Sequence, residues 1–408
     1  MDKALAPHPH QTERFERKRE AVLDAAAREF NKKGVKGATM SDVARSVELL
    51  TNSITYYYPR KADLVAACFS RAITLFSEMI DAASEQTTQQ LRVRQFWQLY
   101  LTHLEAIAAH QAPVLMSFND IRSLRSPHVD VVFAEYNVMF RKMRDLMFRN
   151  VESTFSRIEQ NARTHLMISL MHGVRFWAPC NQTSNYVPLL ESICDILQNG
   201  LAMELSEQSA LRMPRLASNP DDTSLELFLR AATLLINEEG YRGASVVKIS
   251  KRLKVTKGAF YHHVSSKDDL VTQCFERSFD VVRKIQAQAM RMGGSSVHRL
   301  YLACSELIRV QMSPHGPLLR LTAASALPDP MRIHVTKTLH DLSLGFGAFV
   351  RSGRVDGSLR DVDAAIAAHM VHDMVNAAAE LGRWVPAASM GTAAELFARP
   401  LFTGLLQR

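Results

Sequence analysis

The segment KADLVAACFSR at residues 61–71 recurs 206 residues later as KDDLVTQCFER at residues 267–277. The same offset pairs Lys18–Arg71 with Ser224–Arg277 without a gap. Of these 54 pairs 15 are identical, whereas unrelated sequences of average composition would share about 3 or 4. We therefore interpret the chain as an internal duplication whose unit is nearly half of its length.

The composition is that of a globular protein with more than one domain. The chain has 408 residues, of which 47% are apolar and 22% charged, and this excludes a wholly disordered protein. Its net charge of +8 weakly favours a polyanionic partner such as nucleic acid. Five cysteines without a CxxC spacing indicate neither a disulfide framework nor a zinc ribbon, so we expect reduced, buried thiols.

Targeting and membrane signals are not evident in the sequence. The first twenty residues contain several basic side chains but no apolar core of a secretory signal. Runs of about 18 apolar residues, which a membrane helix needs, are also missing. We therefore expect a cytoplasmic protein without a membrane partner.

Apolar periodicity predicts an all-α fold. After Lys61 the apolar residues follow the i, i+3, i+4, i+7 spacing of one helix face, and the copy after Lys267 repeats that pattern. Sustained alternation of apolar and polar residues, as expected for half-buried strands, is not found. The chain is thus predicted to consist of helices in both halves.

Each half begins with a pattern of three short helices before a long one. The first helix is predicted from about Arg17 to Lys33, and Gly34 is placed to end it in a left-handed conformation. Thr39 is the predicted N-cap of the second helix. The third helix is predicted over Thr51–Tyr58, ahead of the long helix at Lys61.

The copy in the second half has corresponding residues at its helix ends and caps. Gly240 ends the first helix, Ser245 caps the second, and the third is predicted over Lys257–Val264. This arrangement of short helices is a helix-turn-helix pattern.

Leu23–Leu64 and Leu229–Leu270 resemble the DNA-binding domain of the TetR family of transcriptional regulators. The second copy carries the family's order of motifs in Val255-Thr256-Lys257-Gly258, Phe260-Tyr261-His262-His263 and Lys267-Asp268-Asp269-Leu270. The first copy departs from it at Thr55, where the family usually has tyrosine. Glu48 and Lys254 occupy the turn where the family commonly has glycine, which predicts a positive φ with modest strain.

The resemblance implies that the third helix of each half enters the major groove of DNA, with its first side chains at base edges and flanking donors at phosphates. Residues implied to contact bases or phosphates are Thr39, Thr51, Asn52, Ser53, Thr55, Tyr56, Tyr57 and Lys61 in the first half and Ser245, Thr256, Lys257, Gly258, Ala259, Tyr261, His262 and Lys267 in the second. Core packing is the alternative for the aromatics: we expect it for Ile54, Tyr58, Phe260 and Val264 and leave it open for Tyr57 and His263.

The predicted domain order repeats a DNA-binding and a regulatory domain. After a tail at residues 1–16 come a helix-turn-helix domain at 17–62, a helical regulatory domain at 63–205, a linker at 206–222, a second helix-turn-helix domain at 223–268 and a second regulatory domain at 269–408. TetR-like proteins usually act as homodimers on palindromes, so we expect this chain to form an intramolecular pseudo-dimer. Because Thr51-Asn52-Ser53 differs from Lys257-Gly258-Ala259, we expect an asymmetric operator. Pairing of two such chains stays open.

The rear helices are expected to pair the halves. In the first half an apolar stripe is formed by Leu190, Ile193, Cys194, Leu197 and Leu201. In the second half Pro400 falls in the corresponding segment, and we expect it to kink or end a helix there. Perfect symmetry between the halves is therefore not expected.

The resemblance also implies a small-molecule effector bound among the regulatory helices, with repression of transcription as the usual outcome. Candidate lining residues are Phe96, Trp97, Tyr100, Phe118, Phe133, Met139, Met143, His165, Phe176 and Trp177. Simple core packing is the alternative for each of them. The rival function is a helical module that binds a ligand or a protein, in which one or both helix-turn-helix domains no longer bind DNA.

Catalysis and cofactors are not expected. The sequence contains no nucleotide-binding glycine loop, no GxSxG and no HExxH. His369 and His372 share one helix face beside Asp373, but solvated or hydrogen-bonded histidines are favoured over a metal site. We therefore expect neither an enzyme, nor a metal, nor a cofactor.

Overall fold

The computed structural model describes residues 9–150, 154–178, 186–205, 213, 224–254, 264–313, 316–320, 323–324 and 327–406. In these ranges the regular structure is helical, with one isolated bridge between Ala202 and Leu359, which confirms the all-α prediction. None of the helices in the described part is both long and apolar enough to cross a bilayer. By its internal contacts the chain divides into a first unit, Met1–Glu78 with Ala106–Met139, and a second unit, Met79–Glu105 with Phe140–Arg408.

The helices of the first half run in the order α1 Pro9–Lys33, α2 Met40–Ser46, α3 Thr51–Tyr57, α4 Lys61–Ala83, α5 Gln89–Ala108, α6 His128–Phe148, α7 Arg157–Trp177 and α8 Val187–Asn199, with a 3₁₀ turn at Phe118–Ser123. Those of the second half are α9 Ser224–Gly243, α10 Val246–Leu253, α11 Lys267–Met290, α12 Ser296–Met312, α13 Asp329–Val355, α14 Ala364–Ala377, α15 Leu381–Trp384 and α16 Arg399–Thr403.

Helix ends follow the local signals, with one exception. Gly34 and Gly240 have φ values of 71° and 72°, as predicted for residues that end a helix, although helical geometry resumes after Gly240 as far as Gly243. Helix α1, however, begins at Pro9 rather than near Arg17. Proline suits the first helical position, where its missing N–H has no partner to lose.

The duplication extends to matching hydrogen bonds inside each half. Asn31 donates through Nδ2 to the carbonyl oxygen of Leu115, and Asn237 donates to that of Leu318, each at 2.9 Å. Two further pairs of matching contacts are Cys68 to Leu23 and Cys274 to Leu229, and Arg71 to Glu20 and Arg277 to Glu226. Because buried polar groups need partners, these contacts fix the first and fourth helices of each half in the same way.

Within the second unit, the end of the first half is hydrogen-bonded to the end of the second. The backbone bonds run from Leu201 N to Leu401 O at 3.2 Å, from Ala202 N to Phe402 O at 2.9 Å, from Leu405 N to Leu197 O at 2.7 Å, from Met203 N to Ser358 O at 3.1 Å and from Arg360 N to Leu201 O at 2.9 Å. The segment after α8 is thereby held between two segments of the second half.

Two arginines reinforce this connection. Arg163 of α7 is buried and donates to the carbonyl oxygens of Gly404 and Leu405 at 2.7 and 3.0 Å. Arg360 donates through Nη1 to Gly200 O at 2.8 Å and through Nη2 to both carboxylate oxygens of Asp195 of α8, at 2.7 and 3.0 Å. Charge-assisted bonds of this kind are among the stronger polar contacts in proteins.

The rear helices α7 and α14 also pack against each other in the second unit. The Trp177 ring stacks on His369 at 5.0 Å, and its Nε1 donates to the carboxyl of Asp373 at 2.8 Å. His165 Nε2 lies 3.1 Å from Ala377 O, and because a carbonyl oxygen only accepts, the tautomer with a proton on Nε2 fits this contact. The predicted stripe lies on α8 except for Leu201, which follows the helix, and it is buried apart from Cys194, which is partly exposed.

The end of the second half departs from its counterpart α8, as Pro400 predicts. A π-helical turn at Ala394–Ala398 precedes the short helix α16, and Pro400 occupies its first turn. Proline has no N–H to donate to the preceding turn, and the regular α-helical pattern is interrupted directly before it. Phe397, Leu401 and Phe402 are nevertheless fully buried.

Candidate nucleic-acid interface

Helices α2 and α3 of the first unit form a helix-turn-helix whose inner side is packed. Val43 and Ile54 are completely buried, and Tyr58 is 5% exposed. The Arg19 guanidinium lies over the Tyr58 ring, 5.9 Å from its centroid. Core packing of Ile54 and Tyr58, and of Val264 in the second half at 3% exposure, agrees with the prediction.

The outer face of α3 carries the predicted reading residues. Asn52, Thr55 and Tyr56 are exposed, and Tyr56 reaches 74%. Thr55 donates its hydroxyl to Asn52 O at 2.9 Å, while the hydroxyls of Thr51 and Ser41 lie 3.2 Å apart. Thr51 and Ser53 are half-buried. This face therefore presents amide, hydroxyl and phenol groups to the surroundings, and Asn52 has the only carboxamide on the seven-residue helix.

An aromatic cluster joins α1 to α3. The Phe15 ring lies 5.0 Å from Tyr57 and 5.9 Å from Tyr56, and the two tyrosines lie 5.3 Å apart. Tyr57 is half-buried by this packing, so it has both a packing role and an accessible edge. Aromatic pairs in such edge and tilted geometries stabilise by about 0.5–1.5 kcal/mol each beyond area burial.

Helix α1 carries exposed cations in the turn around Phe15. Arg14 and Lys18 are both exposed and lie one helical turn apart on α1, on either side of Phe15 in the sequence. Neither residue was predicted to lie at the interface: the helix was predicted to begin near Arg17, which leaves Arg14 outside it, and Lys18 was placed inside the helix without a role at DNA. The signal was present in the spacing of basic residues, but only the contact of Phe15 with α3 shows which face they flank.

The N-terminus of α2 is closed by a capping box. Thr39 Oγ1 accepts from Asp42 N at 3.1 Å and donates to Asp42 Oδ2 at 2.7 Å, while Thr39 N donates to the same oxygen at 2.8 Å. The hydroxyl of Thr39, followed by Lys33, holds the pKa of the Asp42 carboxyl well below its usual range. Thr39 is exposed as predicted, but its hydroxyl proton is engaged by a carboxylate rather than open to a phosphate.

At the start of α4, Lys61 is half-buried and stands next to a local ion-pair network. Arg60 binds Asp63 through Nε at 3.1 Å and Nη2 at 2.9 Å, and the His128 ring lies 2.7 Å from Asp63 Oδ1. The hydrogen bond from Arg60 lowers the pKa of Asp63. This carboxyl therefore stays ionised beside the cations at the edge of the helix-turn-helix.

In the second helix-turn-helix segment, called the second head from here on, the first two helices are connected as in the first head but with the charges exchanged. Ser245 caps α10 by accepting from Lys248 N at 3.3 Å, as predicted. Where the first head pairs Lys33 with Asp42 at 3.0 Å, the second pairs Glu239 with Lys248, with the two charges exchanged at positions related by the 206-residue offset. The swap preserves the contact between the first two helices of each head.

Both turns show the predicted positive φ. Glu48 and Lys254 each have a φ of 55°, a conformation in which a residue with a Cβ is strained by roughly 1–2 kcal/mol. Lys254 leads into residues 255–263, which lie outside the described residues. Several predicted residues therefore lie outside the described part of the chain, namely Thr256, Lys257, Gly258, Ala259, Phe260, Tyr261, His262 and His263. The predicted linker at 206–222 also lies outside it, apart from Met213. Lys267 is described, and its Nζ lies 4.4 Å from the Tyr241 ring centroid.

The candidate effector residues are distributed over both units. In the first unit, Phe118 packs edge-on against Tyr136 at 5.1 Å, Met139 is buried and Phe133 half-buried. In the second, Phe96, Trp97 and Tyr100 are completely buried, and Tyr100 donates to Met171 O at 2.8 Å. Met143, His165 and Trp177 are also buried, whereas Phe176 is 48% exposed. This packing favours the core interpretation, and the effector assignment stays a prediction.

Burial shifts the pKa values of several histidine and cysteine side chains. Burial lowers the pKa of His165 and of His369 to about 4 and raises that of Cys68 to about 12. Among the described residues no three His, Cys, Asp or Glu side chains are grouped as a metal site. Burial lowers the pKa of His372 to about 4 as well, so His369 and His372 are both neutral at pH 7.

In the first half, three helices with a packed inner face and a polar outer face form a helix-turn-helix, an arrangement typical of DNA-binding proteins. In the second half, the first two helices and the cap at Ser245 repeat it as far as the described residues reach. A family model for bacterial regulatory proteins of the tetR family matches residues 22–68 and 228–274, the same two segments. The chain belongs to the TetR family, with two TetR-type halves in tandem.

Individual relatives match over one half or less. The Transposon Tn10 TetC protein of Escherichia coli is 33% identical over 60 residues, which are 15% of this chain and 30% of that protein. The chain therefore spans less than a third of the length of this curated relative.

Among solved structures, the TetR family regulator PfmR from Thermus thermophilus is 21% identical with a TM-score of 0.38, over 44% of this chain and 99% of that one. Apo AibR is 19% identical with a TM-score of 0.37, over 44% of this chain and 98% of that one. A TetR/AcrR family regulator from Thermobifida fusca is 22% identical with a TM-score of 0.33, over 43% and 95%.

Proposed function

We propose that this chain is a TetR-type transcriptional regulator that binds double-stranded DNA as a single-chain pseudo-dimer. The observation that carries the proposal is the exposed polar face of α3, with Asn52, Thr55 and Tyr56 on a helix whose opposite side is packed by Ile54. An α-helix fits into the major groove, where its exposed hydrogen-bonding side chains can reach the base edges. Such an activity belongs to the cytoplasm, where bacterial DNA lies.

The connection between the halves supports the pseudo-dimer part of the proposal. The rear helices of both halves pack together in the second unit, through Arg163 and Arg360 and through backbone bonds at Leu201 and Ala202. In homodimeric relatives of this class two separate chains supply these helices. Covalent linkage makes the second head's encounter with DNA intramolecular, at an effective concentration of roughly millimolar.

We further propose that the chain represses transcription and that a small-molecule effector relieves the repression. This follows the usual behaviour of the family. A ligand changes DNA affinity only if it binds the DNA-free and DNA-bound forms unequally.

The operator is expected to be asymmetric, because the two heads present unlike side chains. Duplexes selected from a random pool with the full-length protein should yield two different half-sites. Analytical ultracentrifugation of the selected duplex should show one chain per duplex at the lowest saturating ratio. Two identical inverted half-sites would contradict the proposal of unlike heads, and absence of any selected sequence would favour the rival function, a helical module without DNA binding.

Asn52→Ala is expected to weaken binding to the selected duplex by about 10- to 100-fold, the range of one good bidentate base contact. Binding to random-sequence DNA should stay within about twofold of the wild type, since that binding depends on phosphates. Fluorescence anisotropy at fixed ionic strength measures both affinities.

The matched control is Asn137→Ala, which removes an exposed asparagine from α6 of the same unit. Lys257→Ala provides the corresponding test for the second head. If Asn52→Ala binds as tightly as Asn137→Ala, Asn52 contacts no base and the proposed reading role of this residue is wrong.

A further inference from the structure

A cavity of about 300 Å³ lies in the first unit between the helix-turn-helix and the start of α6. Its walls come from the loop after α1, the first turn of α4 and the segment that leads into α6. It lies apart from the aromatic residues predicted to line an effector pocket, none of which is in its wall. Its wall includes Val35, Lys36, Arg60, Lys61, Ala62, Val65, Ser123, Leu124, Arg125 and His128.

The polar part of the wall is cationic. Lys36, Arg60, Lys61 and Arg125 contribute four formal positive charges. In the described part of the chain, the carboxylates at its edge include Asp63, bonded to Arg60 and His128, and Asp130, which accepts from Ser126. Lys61 and His128 are also the first residues of α4 and α6, and the positive ends of both helix dipoles therefore face the cavity region. The excess of positive charge favours an anion.

The remaining wall is apolar, with one buried hydroxyl. Val35, Val65 and Leu124 are 6%, 1% and 7% exposed. Ser123 Oγ is buried and has no hydrogen-bond partner within the described part of the chain. A buried hydroxyl without a partner is destabilising unless something else accepts from it, and a ligand oxygen in the cavity would do so.

We propose that this cavity binds a small amphipathic anion, with a carboxylate or phosphate head group among the cations and a short alkyl chain against the apolar wall. The volume is at the small end of the range for ligand pockets, which suits a molecule of roughly ten non-hydrogen atoms. Arg60 and Arg125 are on the exposed rim and the valines are buried, so the head group lies outward and the chain inward.

Such a ligand opposes DNA binding, and this part rests on the proposed function. Lys61 belongs both to the cavity wall and to the predicted phosphate contacts, so an anion beside it reduces the charge available to DNA. By linkage, a ligand that weakens DNA binding n-fold is itself bound n-fold more weakly by the DNA complex.

The test is direct titration of the full-length protein, without DNA, by isothermal calorimetry. Octanoate and octyl phosphate are expected to bind with dissociation constants below about 1 mM, and octanamide, the neutral analogue of octanoate, at least about tenfold more weakly. The two anions separate carboxylate from phosphate recognition. If neither anion binds at about 1 mM, or if octanamide binds equally well, the proposal is overturned.

Two variants locate the site. Arg125→Ala is expected to weaken octanoate binding by at least about threefold. Ala62→Glu, which puts a negative charge into the cavity at a helix N-terminus that tolerates it, should weaken it by at least about tenfold. The matched control is Arg141→Ala, an exposed arginine of α6 outside the wall. Equal binding by all three variants would place the ligand elsewhere and overturn the proposal.

The outcome is separable from that of the proposed function. Octanoate binding that both cavity variants weaken supports the site even if no DNA sequence is selected. With a selected duplex in hand, saturating octanoate should raise its dissociation constant at least about threefold for the wild type and not for Ala62→Glu. An unchanged DNA affinity would overturn the opposing role while leaving the site in place.

Discussion

Gly200→Ala is expected to lower the free energy of unfolding of the second unit by about 3–5 kcal/mol. Gly200 follows α8 with φ 72° and ψ −173°, a backbone region that a residue with a Cβ occupies only at a cost of about 1–3 kcal/mol. A Cβ there would also lie 2.2 Å from the carbonyl oxygen of Phe402. The backbone of the first half must therefore separate from that of the second, and the bonds at Leu201 and Ala202 separate with it.

Gly240→Ala is the matched control, because Gly240 has φ 72° and ψ 167° and a Cβ there meets nothing within 4 Å. Gly240→Ala should lower the free energy of unfolding only by the cost of the unfavourable backbone conformation, about 1–3 kcal/mol. Gly357→Ala, with φ 73° and equally open space, is a second control next to the same bonded segments.

Urea unfolding followed by tryptophan fluorescence suits the measurement, because Trp97, Trp177 and Trp384 all belong to the second unit. Far-UV circular dichroism follows the helices in parallel. If Gly200→Ala and Gly240→Ala lose the same free energy, the close approach of the two halves at Phe402 contributes nothing to stability.

Local features of the fold were predictable from the sequence, because their causes lie within a few residues. Gly34 ends α1 as predicted, and the caps at Thr39 and Ser245 are at the predicted positions. The positive φ at Glu48 and Lys254 was predicted from the residue that relatives have there. The duplication itself needed only the offset of 206 residues.

Contacts between distant segments were not predictable in this way. Nothing near Arg163 in the sequence indicates that it donates to Gly404 O, 241 residues away. The exchange of charges between Lys33–Asp42 and Glu239–Lys248 becomes visible only once each pair is known to be in contact. The cavity beside Lys61 also combines three segments separated by up to about ninety residues, and no motif marks such a site.

For the residues proposed to read DNA, the sequence predicted which positions are involved, and the structure shows which of them are exposed. Asn52 and Tyr56 are exposed as expected, but the capping box engages the Thr39 hydroxyl proton. The contribution of α1 through Phe15 was missed because the helix was predicted to begin too late. Asn52 is therefore the sharper test of the first head than Thr39.

The largest pH effect is expected from Asp373, whose carboxyl packs between α7 and α14. A Cβ on Gly173 would lie 1.9 Å from Asp373 Oδ2, so only glycine at residue 173 leaves room for this side chain. Burial raises the pKa of Asp373 to about 8, opposed by the hydrogen bond from Trp177. The carboxyl is thus protonated in the folded protein at neutral pH, while in the unfolded chain it is ionised above about pH 4.

The sign of the effect follows from proton uptake. Between about pH 4 and 8 the folded state binds a proton at Asp373 that the unfolded state has released. The stability that depends on this group is therefore fully present below about pH 4 and decreases as the pH rises to 8. The full effect of one proton is about 1.4 kcal/mol per pH unit.

Asp373→Asn removes this titration while keeping the shape of the side chain and an oxygen that accepts from Trp177. The free energy of unfolding of the variant minus that of the wild type should rise by about 1.4 kcal/mol per pH unit between about pH 5 and 7.5. Taking the difference cancels the opposite contributions of the buried histidines, whose pKa values burial lowers, His165 and His369 to about 4. The test depends on the slope of this difference against pH, because the hydrogen bonds of the amide change the difference by the same amount at every pH.

The control is Asp361→Asn, which neutralises an exposed aspartate of the same unit. Its difference from the wild type should vary far less over the same pH range, because exposed ion pairs contribute little. A flat difference for Asp373→Asn as well would mean that the carboxyl is ionised in the folded protein, with water or a shifted α14 compensating its charge. In that case the contact of α7 with α14 at Gly173 would have to be looser than the structure has it.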